Sequence, residues 1–203
     1  MTAKTDPSDG ELLQSMMAGD EEALAALYQR HARNIFRFAL QMCGSGALAD
    51  DVTQEVFMVL IREGDTFDAA RGSVSAFLMG VARNHVLRRL RRERFYVPME
   101  EDSRNDTATE TARTTENPLD DLSRTEMIES VRKSVLALPE RYREVVVLCD
   151  LQEMSYVEAA EILGCAVGTV RSRLHRARAL LTEKLRPAQE EEAVDVKSAR
   201  CFA

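Results

Sequence analysis

The residues best equipped to read a polyanion crowd into one stretch. In VGTVRSRLHRARALL, Arg171, Ser172, Arg173, His175 and Arg176 lie almost side by side. The planar fork of arginine grips a phosphate, or the edge of guanine, with two hydrogen bonds. One such base contact discriminates by about 1–3 kcal/mol. To act together these side chains need a helix with a buried back. At 3.6 residues per turn, Val170, Leu174, Ala177 and Leu181 share one face. Arg171, His175 and Arg178 share another, flanked by Arg173 and Arg176. The preceding residues supply a support. Ser155 and Glu158 form a capping-box pattern ahead of a short helix near 156–163, and Gly164–Cys165–Ala166 turns the chain into the arginine helix. Two short helices joined by a glycine-containing turn are the pattern of a helix-turn-helix. A solvated basic face is the blander use of such a charge run; the support helix and turn favour DNA.

A second basic block spans 83–94. Six arginines stand there against Glu93, for the same net +5 that six basic residues against Glu183 give 167–186. Asn84, Arg88, Arg91 and Phe95 recur on one side of a helix. That set suits phosphates plus a splayed base, and a basic face without a ligand fits it equally well. Between 47 and 62, Asp50, Asp51, Gln54, Glu55, Met58 and Arg62 lie off the apolar stripe of Leu48, Val52, Val56, Val59 and Leu60. Such carboxylates could hold a divalent metal for phosphoryl chemistry. Alternatively they could dock a basic partner, with Met58 as an adaptable apolar contact. No nucleophile or base completes an active site, which favours docking. No catalytic residue, metal or cofactor is expected, and His31, His85 and His175 form no ligand cluster.

The elements that must carry these faces are helices. The 203 residues are 45% hydrophobic, with no tryptophan, five prolines and nine glycines. That punctuation is too sparse for an all-β fold, so an all-α class is expected. The composition supports two small helical domains, at 10–96 and 123–186. They are joined by a flexible acidic linker at 97–122 and followed by a disordered tail at 187–203. The first domain reads as four helices: Glu11 to Ala18, Asp20 to Gly44, Ala47 to Arg62, and Ser73 to Arg94. In the second, Ser123 and Glu126 offer a capping box, and Pro139 fits a first helical turn. No stretch approaches the roughly 18–20 apolar residues of a membrane span, and the N-terminus is polar. A cytoplasmic location is therefore expected. Cys43, Cys149, Cys165 and Cys201 form no CxxC, so reduced thiols are expected and packing is favoured over a redox role.

Taken in order, these motifs resemble a known family. ADDVTQEVFMVLIR is similar to region 2.2, FDAARGSVSAFLMGVARNHVLRRLRRER to regions 2.3 and 2.4, and LPERYREVVVLCDLQEMSYVEAAEILGCAVGTVRSRLHRARALL to region 4, of the extracytoplasmic-function (group 4, sigma-70 family) sigma factors of bacterial RNA polymerase. The resemblance implies a sigma factor that takes core RNA polymerase to specific promoters. It implies that Asp51, Gln54, Glu55 and Met58 bind the clamp helices of the polymerase's largest subunit, with the second domain against the flap of the second subunit. Phe67, Asp68, Arg71, Asn84, Arg88 and Arg91 would bind a melted −10 element. Arg171, Ser172, Arg173, His175 and Arg176 would read a duplex −35 element. An anti-sigma factor is an implied partner. Two departures stand out: Ala166 where the family often has a capping serine, and Leu60–Ile61 where it often has a tryptophan. The competing reading is a free-standing helix-turn-helix regulator, which would carry a ligand or receiver domain in place of the acidic and arginine helices. A metal-dependent nuclease ranks third.

The net charge of −7 does not argue against DNA. It averages two +5 helices with an acidic stretch at 98–126 that holds nine acids and three arginines. Screening confines electrostatic contact to about 8–10 Å, so the local charge decides.

Overall fold

The computed structural model describes residues 6–69, 72–96 and 118–186, and these are all-α. Helices α1 (Asp9–Met17), α2 (Glu21–Cys43), α3 (Gly46–Glu63) and α4 (Val74–Tyr96) form the first unit. Helices α5 (Pro118–Leu136), α6 (Glu140–Val146), α7 (Tyr156–Leu163) and α8 (Val167–Leu185) form the second. The segments at 97–117 and 187–203, which hold most of the expected linker, the tail and Cys201, lie outside the described residues, as does Arg71.

Local chemistry sets the helix ends. Asp20 caps α2 by accepting from the N–H groups of Glu22 and Ala23 at 2.9 and 3.3 Å. Gly44 stops it at φ 76°, a conformation that favours glycine. A Cβ on Gly44 would also sit 2.8 Å from a methyl group of Leu136 on α5, which would have to shift. Helix α1 starts two residues before the expected Glu11, because Ser8 caps it and Glu11 closes a capping box. The Glu11 carboxylate accepts from the Ser8 N–H at 2.7 Å, which holds its pKa below the usual range.

The expected apolar faces are largely buried. Leu27, Ile35, Phe38 and Met42 of α2 meet Val52, Val56 and Leu60 of α3 and Leu78 of α4 in one cluster. Leu24, Phe77, Val81 and Leu181 are only half-buried at its margin. Truncating one of the buried leucines to alanine costs about 2–5 kcal/mol in such a core. A charged clasp ties α1 to α2: Asp9 receives Arg30 at 2.8 Å and pairs with His31 at 2.7 Å. Partial burial works against the Asp9 charge, but Arg30 and His31 outweigh it and hold the carboxyl below its ordinary pKa.

Three expectations in the second unit need correction. Helix α5 starts at Pro118, inside the segment read as linker, so Ser123 lies within the helix instead of capping it. Proline is well placed at a first helical position. Pro139 is the residue before α6, one position earlier than a first turn. Past Val146 the helix loosens into a π-turn, Val147–Leu151, which carries Cys149. Burial raises the Cys149 thiol pKa, as expected of a packing cysteine, and Cys43, Cys149 and Cys165 form no disulfide.

The two units also pack against each other. Their buried residues form one continuous cluster, with α4 against α7 and α2 against α5. Arg83 of α4 pairs with Glu144 of α6 at 2.6 Å, and the Glu144 side chain is only 5% exposed. Arg143 donates to the Met42 carbonyl across the junction at 2.5 Å, and to the Leu138 carbonyl at 3.0 Å on its own side. It also donates to the Leu136 carbonyl. Arg37 reaches the Leu151 carbonyl at 3.1 Å, and Gln152 donates to Gln41 at 2.8 Å.

Candidate nucleic-acid interface

Helix α8 is held by its apolar back and by the turn ahead of it. Val170, Leu174 and Ala177 are buried, as the periodicity requires. Ser155 accepts from the Glu158 N–H at 3.2 Å and Glu158 accepts from the Ser155 N–H at 2.9 Å, which fixes the start of α7. That bonding also holds the Glu158 pKa below the usual range. Gly164, at φ 61°, turns the chain into α8. No side chain caps α8, because Ala166 occupies the N-cap position. This packing leaves Arg171, Ser172, His175 and Arg176 exposed on one flank, with Arg173 half-buried beside them.

The arginines of α8 do not share one fate. The Arg171 guanidinium sits 5.7 Å from the ring centre of Tyr156, the first residue of α7. Arg176 hydrogen-bonds Tyr142 of α6, and the positive charge there lowers the phenol pKa. Arg141 also lies over the Tyr142 ring, 4.7 Å from its centre. Arg178 is bound by Asp150 through two hydrogen bonds of 2.6 and 3.1 Å, and Tyr156 lies near it. The sequence placed Arg178 on the reading face; the Asp150 pairing commits it to the scaffold. Tyr142, Asp150 and Tyr156 were not singled out from sequence, because their partners are set by tertiary packing.

Helix α4 presents Asn84, Arg88 and Arg91, all exposed. Phe67 is half-buried and meets Phe77 edge-on at 5.8 Å, which anchors the loop before α4, and Asp68 is exposed. Arg83 is turned away into the Glu144 pair. On α3, Asp51, Gln54, Glu55 and Met58 are exposed on the side opposite the core. Arg89 of α4 comes within 4.0 Å of Asp51, so the acidic and basic faces adjoin. His85 lies at that seam. Burial lowers its pKa, Arg88 adds to the effect and Glu55 opposes it. Beside the acidic face, Leu24, Tyr28, Phe57 and Ile61 line a shallow apolar groove between α2 and α3. No group of three or more potential metal ligands occurs among the described residues. None of the described helices is long and apolar enough to cross a membrane.

Two helical units, each offering a basic helix, one of them within a helix-turn-helix, fit the class of DNA-binding transcription proteins. Residues 27–96 match Sigma-70 region 2 and residues 128–181 match Sigma-70, region 4. The ECF RNA polymerase sigma factor SigM of Mycobacterium tuberculosis is 35% identical over 187 residues, covering 88% of this chain and 85% of that protein. SigW of Bacillus subtilis, another ECF RNA polymerase sigma factor, is 29% identical over 178 residues, covering 86% and 95%. The chain belongs to the ECF RNA polymerase sigma factors, the subunits that give the polymerase its promoter specificity. Among solved structures, CnrH in complex with the cytosolic domain of CnrY aligns at a TM-score of 0.66 and 27% identity, over 88% of this chain and 97% of that one. RpoE from Bartonella quintana, solved with the anti-sigma factor NepR, aligns at 0.63 and 24% identity, over 79% and 95%, a likeness of fold.

Proposed function

We propose that this chain is a group 4 sigma factor that works as two tethered readers. Residues 10–96 bind core polymerase and the melted −10 element; residues 123–186 read the −35 element as duplex. The observation that carries the reading is the geometry of α8: a buried apolar back and an exposed flank of Arg171, Ser172, His175 and Arg176 behind a helix-turn-helix turn. A helix so presented fits the major groove, where its side chains reach base edges. Asn84, Arg88 and Arg91 supply phosphate contacts to the melted strand, with Phe67, Asp68 and Arg71 at the base-binding end. Asp51, Gln54, Glu55 and Met58 dock the clamp helices of the largest subunit, and the second unit meets the flap of the second. The protein acts in the cytoplasm, has no catalytic activity of its own, and is held in reserve by an anti-sigma factor.

The test is reconstitution of the full chain with core polymerase. Selective initiation from a cognate promoter is the expected result. A chain that binds promoter duplex alone but never binds core would be a free-standing regulator instead. Within the holoenzyme, Arg171→Ala or Arg173→Ala should weaken −35 use. Asp51→Ala or Glu55→Ala should weaken core binding without altering promoter preference.

A further inference from the structure

The side chains around α8 form a connected chain of contacts. Asp150, on the π-turn, binds Arg178 through two hydrogen bonds. Tyr156 lies near Arg178, and the ring of the same tyrosine lies under the guanidinium of Arg171 at 5.7 Å. Arg171 and Arg178 are seven residues apart, two turns along one face of α8, so a single tyrosine lying along the helix can engage both. Tyr156 itself is fixed, because it directly follows the Ser155 cap of α7. It is not needed for the core, being 36% exposed. An arginine without a partner samples many rotamers, and ordering one on binding costs side-chain entropy. A ring under the guanidinium removes part of that cost in advance and leaves the edge of the fork open for hydrogen bonding.

We infer that Tyr156 is a positioning residue for promoter reading: its ring, held at the first turn of α7, pre-orients Arg171 toward the −35 duplex. This rests on the proposal that α8 reads that element. Tyr156 thereby sets selectivity at the base pair that Arg171 faces. Cation–π contacts at exposed sites are worth about a two- to five-fold change in an equilibrium constant.

The experiment uses holoenzyme reconstituted from core polymerase and the full chain. Open-complex formation is measured on a promoter drawn from a randomised −35 library, and on a series with each −35 base pair changed. Arg171→Ala should flatten the preference at one base pair. Tyr156→Leu should reduce preference at that same base pair by about two- to five-fold, and should add nothing in the Arg171→Ala background. Tyr156→Phe keeps the ring and should retain most of the preference. Full additivity of Tyr156→Leu and Arg171→Ala would overturn the inference, as would a loss spread evenly over all −35 positions. A Tyr156→Phe defect as large as that of Tyr156→Leu would do the same. No effect of Arg171→Ala at any position would instead remove the assignment of α8 to the −35 element, an outcome distinguishable from the others.

Discussion

Helices α4 and α8 carry arginine blocks of equal net charge, yet they treat those arginines differently. On α8, Arg171, Arg176 and Arg178 each have a partner outside the helix, in Tyr156, Tyr142 and Asp150. On α4, Asn84, Arg88 and Arg91 are exposed, and the arginine most tightly bound is Arg83, which faces the other unit. The contrast matches the two substrates proposed. A duplex presents its base edges at fixed positions, so ordered side chains gain from having paid no entropy on contact. A single strand is itself flexible and can settle against side chains that move with it.

The comparison can be broken at several points. The largest effect is expected where α4 is tied to the second unit. Glu144→Ala leaves Arg83 unpaired at a nearly dry junction and should cost about 3 kcal/mol, seen as a lower thermal midpoint. A joint replacement of Arg83 and Glu144 by methionine should recover most of it. Next come the reading residues. Arg171→Ala should cost about 1–3 kcal/mol against the preferred −35 sequence and little against a scrambled one. Arg88→Ala should weaken binding of single-stranded DNA uniformly and lower the salt slope by about one charge. If both substitutions acted alike, the proposed division between base reading and phosphate contact would fail. Smaller still, Ala166→Ser supplies the missing cap of α8 and should stabilise by about 1 kcal/mol in chemical denaturation.

The smallest effect concerns His85. Its folded-state pKa lies below the ordinary value of 6.5, so the unfolded chain binds the proton more readily. Stability should therefore fall as pH drops through that value, and His85→Gln should flatten this part of the profile. A profile that is unchanged by the substitution would show that the seam between α3 and α4 does not sense protonation of His85.

Several helix boundaries that one residue decides were legible, although the Ser8 cap of α1 was missed. Asp20, Gly44, Ser155 with Glu158, and Gly164 all act where the local pattern places them. So were the buried faces of α2, α3 and α8, because periodicity alone separates in from out. Ser123 shows where a local rule loses: Pro118 offers an earlier start, and the helix takes it. The faces holding the candidate site residues were legible for the same periodic reason. The partners of those faces were not. Arg178 and Asp150 are 28 positions apart, and Arg83 and Glu144 are further apart still. Nothing in either local sequence marks one as the other's counterion.

The packed junction between the units has a consequence in reach. A folded body of roughly 160 residues has a radius of gyration near 15 Å and is about 40 Å across. Elements named for positions −35 and −10 are separated by roughly 25 base pairs, or about 85 Å of duplex at about 3.4 Å each. A molecule held together by Arg83–Glu144 and by Arg143 on Met42 is too short to sit on both at once. Under the proposed assignment of the two units to these two elements, reading a whole promoter requires the junction to part. Its ion pair and carbonyl contacts then act as a threshold that the polymerase and the DNA must jointly overcome.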